Sequence, residues 1–144
     1  MTRPRYCIGI DPGSHTGVAV WNREDKKFFQ IETFTPARAI IMLCAFADED
    51  CPWIGGAEVF CEDARLRKWI PKERGREVLQ GVGAVKARCA DIEEACRILG
   101  IKCTMLAPRK GMTKMSAEKF RKLTGWTGRT SEHARDAAML VLGR

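Results

Sequence analysis

The first 34 residues carry three short apolar blocks separated by polar turns, and the spacing within each block is that of a strand. Residues 5–10 alternate weakly and are rich in apolar side chains, as in a buried strand. Residues 16–22, TGVAVWN, form a second block, and beyond the polar REDKK turn FFQIETF forms a third. Links this short predict an antiparallel meander. The period then lengthens. Pro36 suits the first turn of a helix running to about residue 47, and AEVFCE, residues 57–62, returns to a strand. Residues 64–76 are polar and contain Pro71, which predicts irregular chain. From about Glu77 to Leu99, Val85, Cys89, Ile92, Cys96 and Leu99 recur at four-three-four-three spacing, a helix that Gly100 closes. IKCTML is a fifth strand and 108–114 a basic loop. A helix follows over about 116–124, stopped by Gly125. A last helix begins near Thr130 or Ser131, either of which can cap it, and runs through EHARDAAMLVL.

The order β-β-β-α-β-α-β-α-α predicts a mixed five-stranded α/β sheet, a three-stranded antiparallel meander plus parallel strands, with flanking helices. The 144 residues show no internal repeat, low-complexity tract or linker, so one domain over 1–144 is expected. No apolar run approaches the length of a membrane span, and no signal segment follows the basic start, so a soluble cytoplasmic protein is expected.

Two strands end on acids. Asp11 closes the first and Glu62 the fourth, although a carboxylate at the tip of a buried strand costs several kcal/mol unless something pairs with it. A helical connection makes these two strands parallel neighbours, which puts both acids at one carboxyl edge, where open α/β sheets place their ligands. His133 and Asp136 lie three apart on one face of the last helix, beside the apolar Ala137, Leu140 and Val141. Taken singly, each acid has a bland alternative: an Asx turn for Asp11, helix-start residues for Glu62 and Asp63, a surface position for His133, an arginine pair for Asp136. Taken together they make a hard-ligand set suited to Mg2+ or Mn2+, and two such ions are a common device for phosphodiester cleavage.

Charge changes the picture further. The net charge is +7, but residues 1–63 hold 6 Lys/Arg against 10 Asp/Glu, whereas residues 64–144 hold 19 against 8. A half-chain this basic suits a phosphate-backbone partner. Within 65–76, Arg65, Arg67, Lys68, Lys72, Arg74 and Arg76 surround Trp69, a mixture suited to phosphate contact with base stacking. Lys110, Lys114 and Lys119 form a second basic group ahead of the last helix. The seven cysteines include no CxxC pair and mostly lie in apolar runs, so reduced core cysteines are expected in place of a zinc site.

IGIDPGSHTGVAV, VFCED and SEHARDAAMLVLG, in that order, resemble the three acidic motifs of RuvC-type Holliday junction resolvases, members of the RNase H-like superfamily. KMSAEKFRK is similar to the basic segment ahead of their terminal helix. The resemblance spans nearly the whole chain, whose short length is similar to that of compact phage or prophage members. It implies an RNase H-like fold and a homodimer acting in DNA recombination and repair. It also implies paired, Mg2+-dependent nicks in four-way junctions with two ions per site and Mn2+ as a substitute. In this reading Asp11 bridges the ions, Glu62 and Asp136 complete their shells, and His133 supplies a neutral nitrogen or orients water. Lysines in the 110–119 region approach the scissile phosphate. The alternative enzyme is a related nuclease for flaps, other branched DNA or structured RNA. An actin-like ATPase lacks room for its second domain, and a non-catalytic DNA binder would be expected to have lost an acid.

Overall fold

The computed structural model describes residues 3–48, 50, 56–67, 75–109 and 114–144, without the side chains of 77 and 78. Its strands are β1 (Tyr6–Asp11), β2 (Thr16–Asn22), β3 (Lys27–Phe34), β4 (Ala57–Glu62) and β5 (Cys103–Leu106). Its helices are α1 (Pro36–Ala47), α2 (Arg76–Leu99), α3 (Ala117–Thr124) and α4 (Glu132–Val141), with a 3-10 turn at Ala64–Leu66. The five strands form one sheet in the order β3-β2-β1-β4-β5. β1 and β2, and β2 and β3, pair antiparallel, while β1 with β4 and β4 with β5 are parallel. This is the mixed five-stranded α/β sheet expected from the pattern, and each predicted strand and helix is present.

Strand alternation sorts the core into two layers. Tyr6, Ile8, Ile10, Val18, Val20, Val59 and Cys61 face α1 and α2, where Leu43, Ile92 and Cys96 complete a buried cluster. Cys7, Ala19, Trp21 and Phe60 face the other way, into a cluster with Phe120 of α3 and Ala134, Ala137 and Val141 of α4. By the same alternation Asp11 and Glu62 belong to the α4 side. Parity within the strand, fixed by which neighbours are apolar, thus decides which helix the two acids meet.

The helix ends are closed by local chemistry. Thr35, Ser116 and Ser131 are the N-caps of α1, α3 and α4, their hydroxyls accepting from the amides of Arg38, Lys119 and Ala134. Ser131, not Thr130, is therefore the cap of the last helix. Gly100 ends α2 at a φ of 69°, a left-handed geometry that favours glycine. The N-terminal half of α2 is largely exposed: Leu79 is 61% exposed, and among the described residues nothing lies within contact distance of a Cβ at Gly81 or Gly83.

Cys7, Cys61, Cys89 and Cys96 are free and buried, Cys103 is half-buried, and Cys44 departs from the core expectation by being exposed. Cys51 lies outside the described residues. At the end of the sheet away from Asp11, the Glu58 carboxylate is buried against Arg23, with Lys102 3.6 Å away. Burial pushes its pKa up, but the Arg23 hydrogen bond and both positive charges outweigh it and hold the group below its ordinary value. Among the described residues no helix is long and apolar enough to cross a membrane.

Candidate active site

The β1–β4 ladder runs in register to Ile10 and Cys61, so the next residues, Asp11 and Glu62, end adjacent strands at the same edge. Behind Asp11 the chain turns at once, and the Thr16 hydroxyl donates to the Gly13 carbonyl at 2.8 Å to close the turn. Behind Glu62 the backbone is pinned by the Asp63 amide, which donates to the Leu106 carbonyl at 2.7 Å. The buried Asp63 carboxylate caps the 3-10 turn through the Arg65 amide and receives the Arg65 guanidinium in two-point contact. Of the two adjacent acids, Asp63 is the structural one and Glu62 is left facing the edge.

α4 brings the third component, and two glycines let it approach. A Cβ at Gly9 would collide with the Ala137 carbonyl, and one at Gly17 with the His133 carbonyl and the Ala134 amide. With hydrogen atoms in those places, the first turns of α4 lie directly on β1 and β2. His133 Nδ1 comes 3.1 Å from Asp11 Oδ2. With the proton on Nδ1, the imidazole donates to the carboxylate and leaves Nε2 as an acceptor.

Asp136, one turn along the same face, faces both strand-end acids electrostatically. Burial and the Asp136 charge push the Asp11 pKa up against the His133 hydrogen bond and the Lys114 charge, and the net shift is upward. Glu62 is pushed up to about 7 by burial and by the charges of Asp11 and Asp136, with Arg67 and Lys114 opposing. Asp136 is raised as well, chiefly by burial. Lys114, 3.2 Å from Glu132, is the cation common to all three acids.

The donor set is three carboxylates, from two strand ends and a helix, whose joint ionisation is opposed by burial and repulsion. That is the electrostatic state a divalent cation relieves, and oxygen donors suit Mg2+ or Mn2+. Among the described residues, no three His, Cys, Asp or Glu side chains already stand as a closed ligating group. The chemistry of the donors fits such an ion; Asp11, Glu62 and Asp136 are the residues that would hold it.

The other sequence-derived candidates fall at different distances from this edge. Arg67 and Lys114 line a cleft with Glu62 and Asp136. Arg65 is engaged by Asp63 and lies 3.2 Å from Glu93. Lys119 is exposed on α3. Lys68, Trp69 and Lys110 lie outside the described residues, as do Lys72 and Arg74. Leu140, expected on the buried side of α4, is only half-buried and lines the cleft.

Four contributors were not singled out from sequence. His15, in the turn after Asp11, stacks on His133 with ring centroids 6.5 Å apart. Its signal was its position inside the first motif. Arg135 is buried and donates to the carbonyls of Met115 and Thr130 at 2.8 and 2.7 Å, tying both segments that approach α4 to its first turn. Gly9 and Gly17 carry no chemistry of their own, and their role depends on a helix more than 115 positions away.

In sequence, the chain matches no family model and no curated protein. In structure it is similar to T. thermophilus RuvC in complex with Holliday junction substrate. The TM-score is 0.57 at 18% identity, covering 96% of this chain and 91% of that one. The likeness is one of fold, over almost the full length of both chains.

Proposed function

We propose that the chain is a divalent-metal-dependent endodeoxyribonuclease that resolves four-way DNA junctions by paired nicks. The observation that carries this reading is the meeting of Asp11, Glu62 and Asp136 at one sheet edge, beside Lys114, on a fold shared with a protein solved on Holliday junction substrate. Asp11, Glu62 and Asp136 would hold the Mg2+ ions, and Mn2+ could take their place. Bound there, such ions supply a water of lowered pKa as nucleophile and neutralise charge on the leaving oxygen. His133 orients the Asp11 carboxylate through its Nδ1 and presents Nε2 toward water. Lys114 counters negative charge on the phosphodiester under attack, where a fixed cation contributes most. Arg67 and Lys119 hold flanking phosphates, with Arg65, Lys68, Trp69 and Lys110 as further contacts on the DNA side.

The same reading makes the protein a homodimer that presents two such edges to opposed strands. The exposed Leu79 and the open Gly81 and Gly83 of α2 support an interface there. Sedimentation at micromolar protein is expected to give a dimer, and a monomer both with and without DNA would remove the paired-nick mechanism.

The test is cleavage of a labelled synthetic four-way junction beside a linear duplex and a flap, in Mg2+ and in EDTA. Symmetric nicks confined to the junction and to Mg2+ are expected. Asp11→Asn is expected to slow them by about 10²–10³-fold, the scale for losing one stabiliser of transition-state charge. Equal cutting of all three substrates would replace junction resolution with a broader branched-DNA nuclease activity.

A further inference from the structure

Beside the three acids a cleft of about 300 Å3 opens between the β4 and β5 ends and α4. Glu62 and Asp136 stand at one end of it, and residues 139, 140 and 144 carry it on toward the far end of α4. Part of its wall is apolar, with Leu106, Met115, Met139 and Leu140 all half-buried. The two catalytic carboxylates are its acids, whereas Arg67, Arg109, Lys114 and Arg144 all line it. Arg144 is held in place: its guanidinium lies 4.1 Å above the Phe60 ring, and its Nε donates to the Leu140 carbonyl at 2.6 Å.

This combination selects an occupant. Four cations beyond two carboxylates ask for an anion. An apolar stretch of wall with two thioethers suits a flat ring and adapts to its outline. The volume is at the small end of ligand cavities, with room for one nucleotide and none for a stretch of duplex. An occupant that is anionic, flat-ringed and continuous with the carboxylates is a nucleotide of the strand being cut. To enter, its base must leave the stack, which costs least where stacking is already interrupted, as at a branch point.

We propose that the cleft between β5 and α4 is a subsite for one unstacked nucleotide adjoining the scissile phosphodiester, its base between Met115 and Met139 and its phosphate toward Arg67 and Lys114. The proposal rests on the nuclease reading for the identity of the strand, but the subsite can be tested without cleavage. The protein is labelled with carbon-13 in its methionine methyl groups and titrated with a deoxydinucleotide in Mg2+. The Met115 and Met139 signals are expected to shift. Met42 and Met105, which pack on the opposite layer of the sheet, are expected to stay. Unmoved Met115 and Met139 signals at millimolar probe would overturn the subsite whether or not the protein cuts DNA.

Met139→Trp, which fills the cleft with an indole ring, supplies the functional arm. It is expected to abolish the Met115 shift and to lower kcat/KM on the junction by about tenfold or more, the scale of one apolar pocket contact. Undiminished cutting by a variant of unchanged melting temperature would also overturn the proposal. Methyl shifts in a protein that cuts nothing would keep the nucleotide site and reject the nuclease reading, so the two failures are distinct.

Discussion

At the residue scale, the acids of the candidate site work against the fold that holds them. The Glu62 pKa stands near 7 against an ordinary value of 4.5 because burial and two neighbouring carboxylates oppose its charge. In metal-free protein the folded chain keeps the Glu62 proton between those two values, where the unfolded chain has lost it. Stability therefore falls as pH rises from about 4.5 to about 7, and levels off above that. Glu62→Gln is expected to flatten this slope and, at pH 8 in EDTA, to raise stability by about 1 kcal/mol, or ~3 °C in Tm. Mg2+ is expected to raise the wild-type Tm and to do less for the variant. Melting curves across pH, with and without the ion, check both. A wild-type Tm that climbs from pH 5 to 7 in EDTA would reject the repulsion.

At the element scale, α4 is the part whose placement decides whether a site exists. Gly17→Ala puts a methyl group into the His133 carbonyl and the first turn of α4, so the helix must shift or tilt. The expected cost is about 1–3 kcal/mol, typical of overpacking. Nicking is expected to fall further than stability, because His133 and Asp136 move with the turn that is pushed. A variant that melts lower but cuts at the wild-type rate would show that this contact does not position the site. This is also where legibility in the sequence ends. Asp11 and Glu62 were readable because an acid ending an apolar strand breaks a local pattern, and the parallel placement followed from short links and one helical crossover. His133 and Asp136 were readable from their spacing. Gly9 and Gly17 were not, since a glycine in a strand signals only that something comes close, and the partner lies at the other end of the chain. Arg135 was hidden for a similar reason: two of its acceptors are backbone carbonyls, which leave no mark in the pattern of side chains.

At the scale of the whole molecule, the uneven charge predicts how DNA binding responds to salt. The basic excess lies wholly in residues 64–144. Each Lys or Arg that neutralises a phosphate contributes about 0.9 to the slope of log affinity against log salt. Lys119→Gln is expected to lower that slope by about one unit while leaving the Mg2+ requirement unchanged. Binding of a junction by Asp11→Asn protein at several salt concentrations gives the reference slope. No change in slope would place Lys119 away from the backbone.

The contact between Asp11 and His133 joins positions 122 apart. A ribosome making this chain releases the meander early, with Asp11 already at its strand end, and Glu62 follows half a chain before α4. Through all that time the growing polypeptide holds two strand-end acids and no helix to set beside them. If the chain is the nuclease proposed above, this order of synthesis completes the acidic site only when the last helix has been made. A product that stops between residues 76 and 133 carries the basic segment and the two strand-end acids but neither His133 nor Asp136.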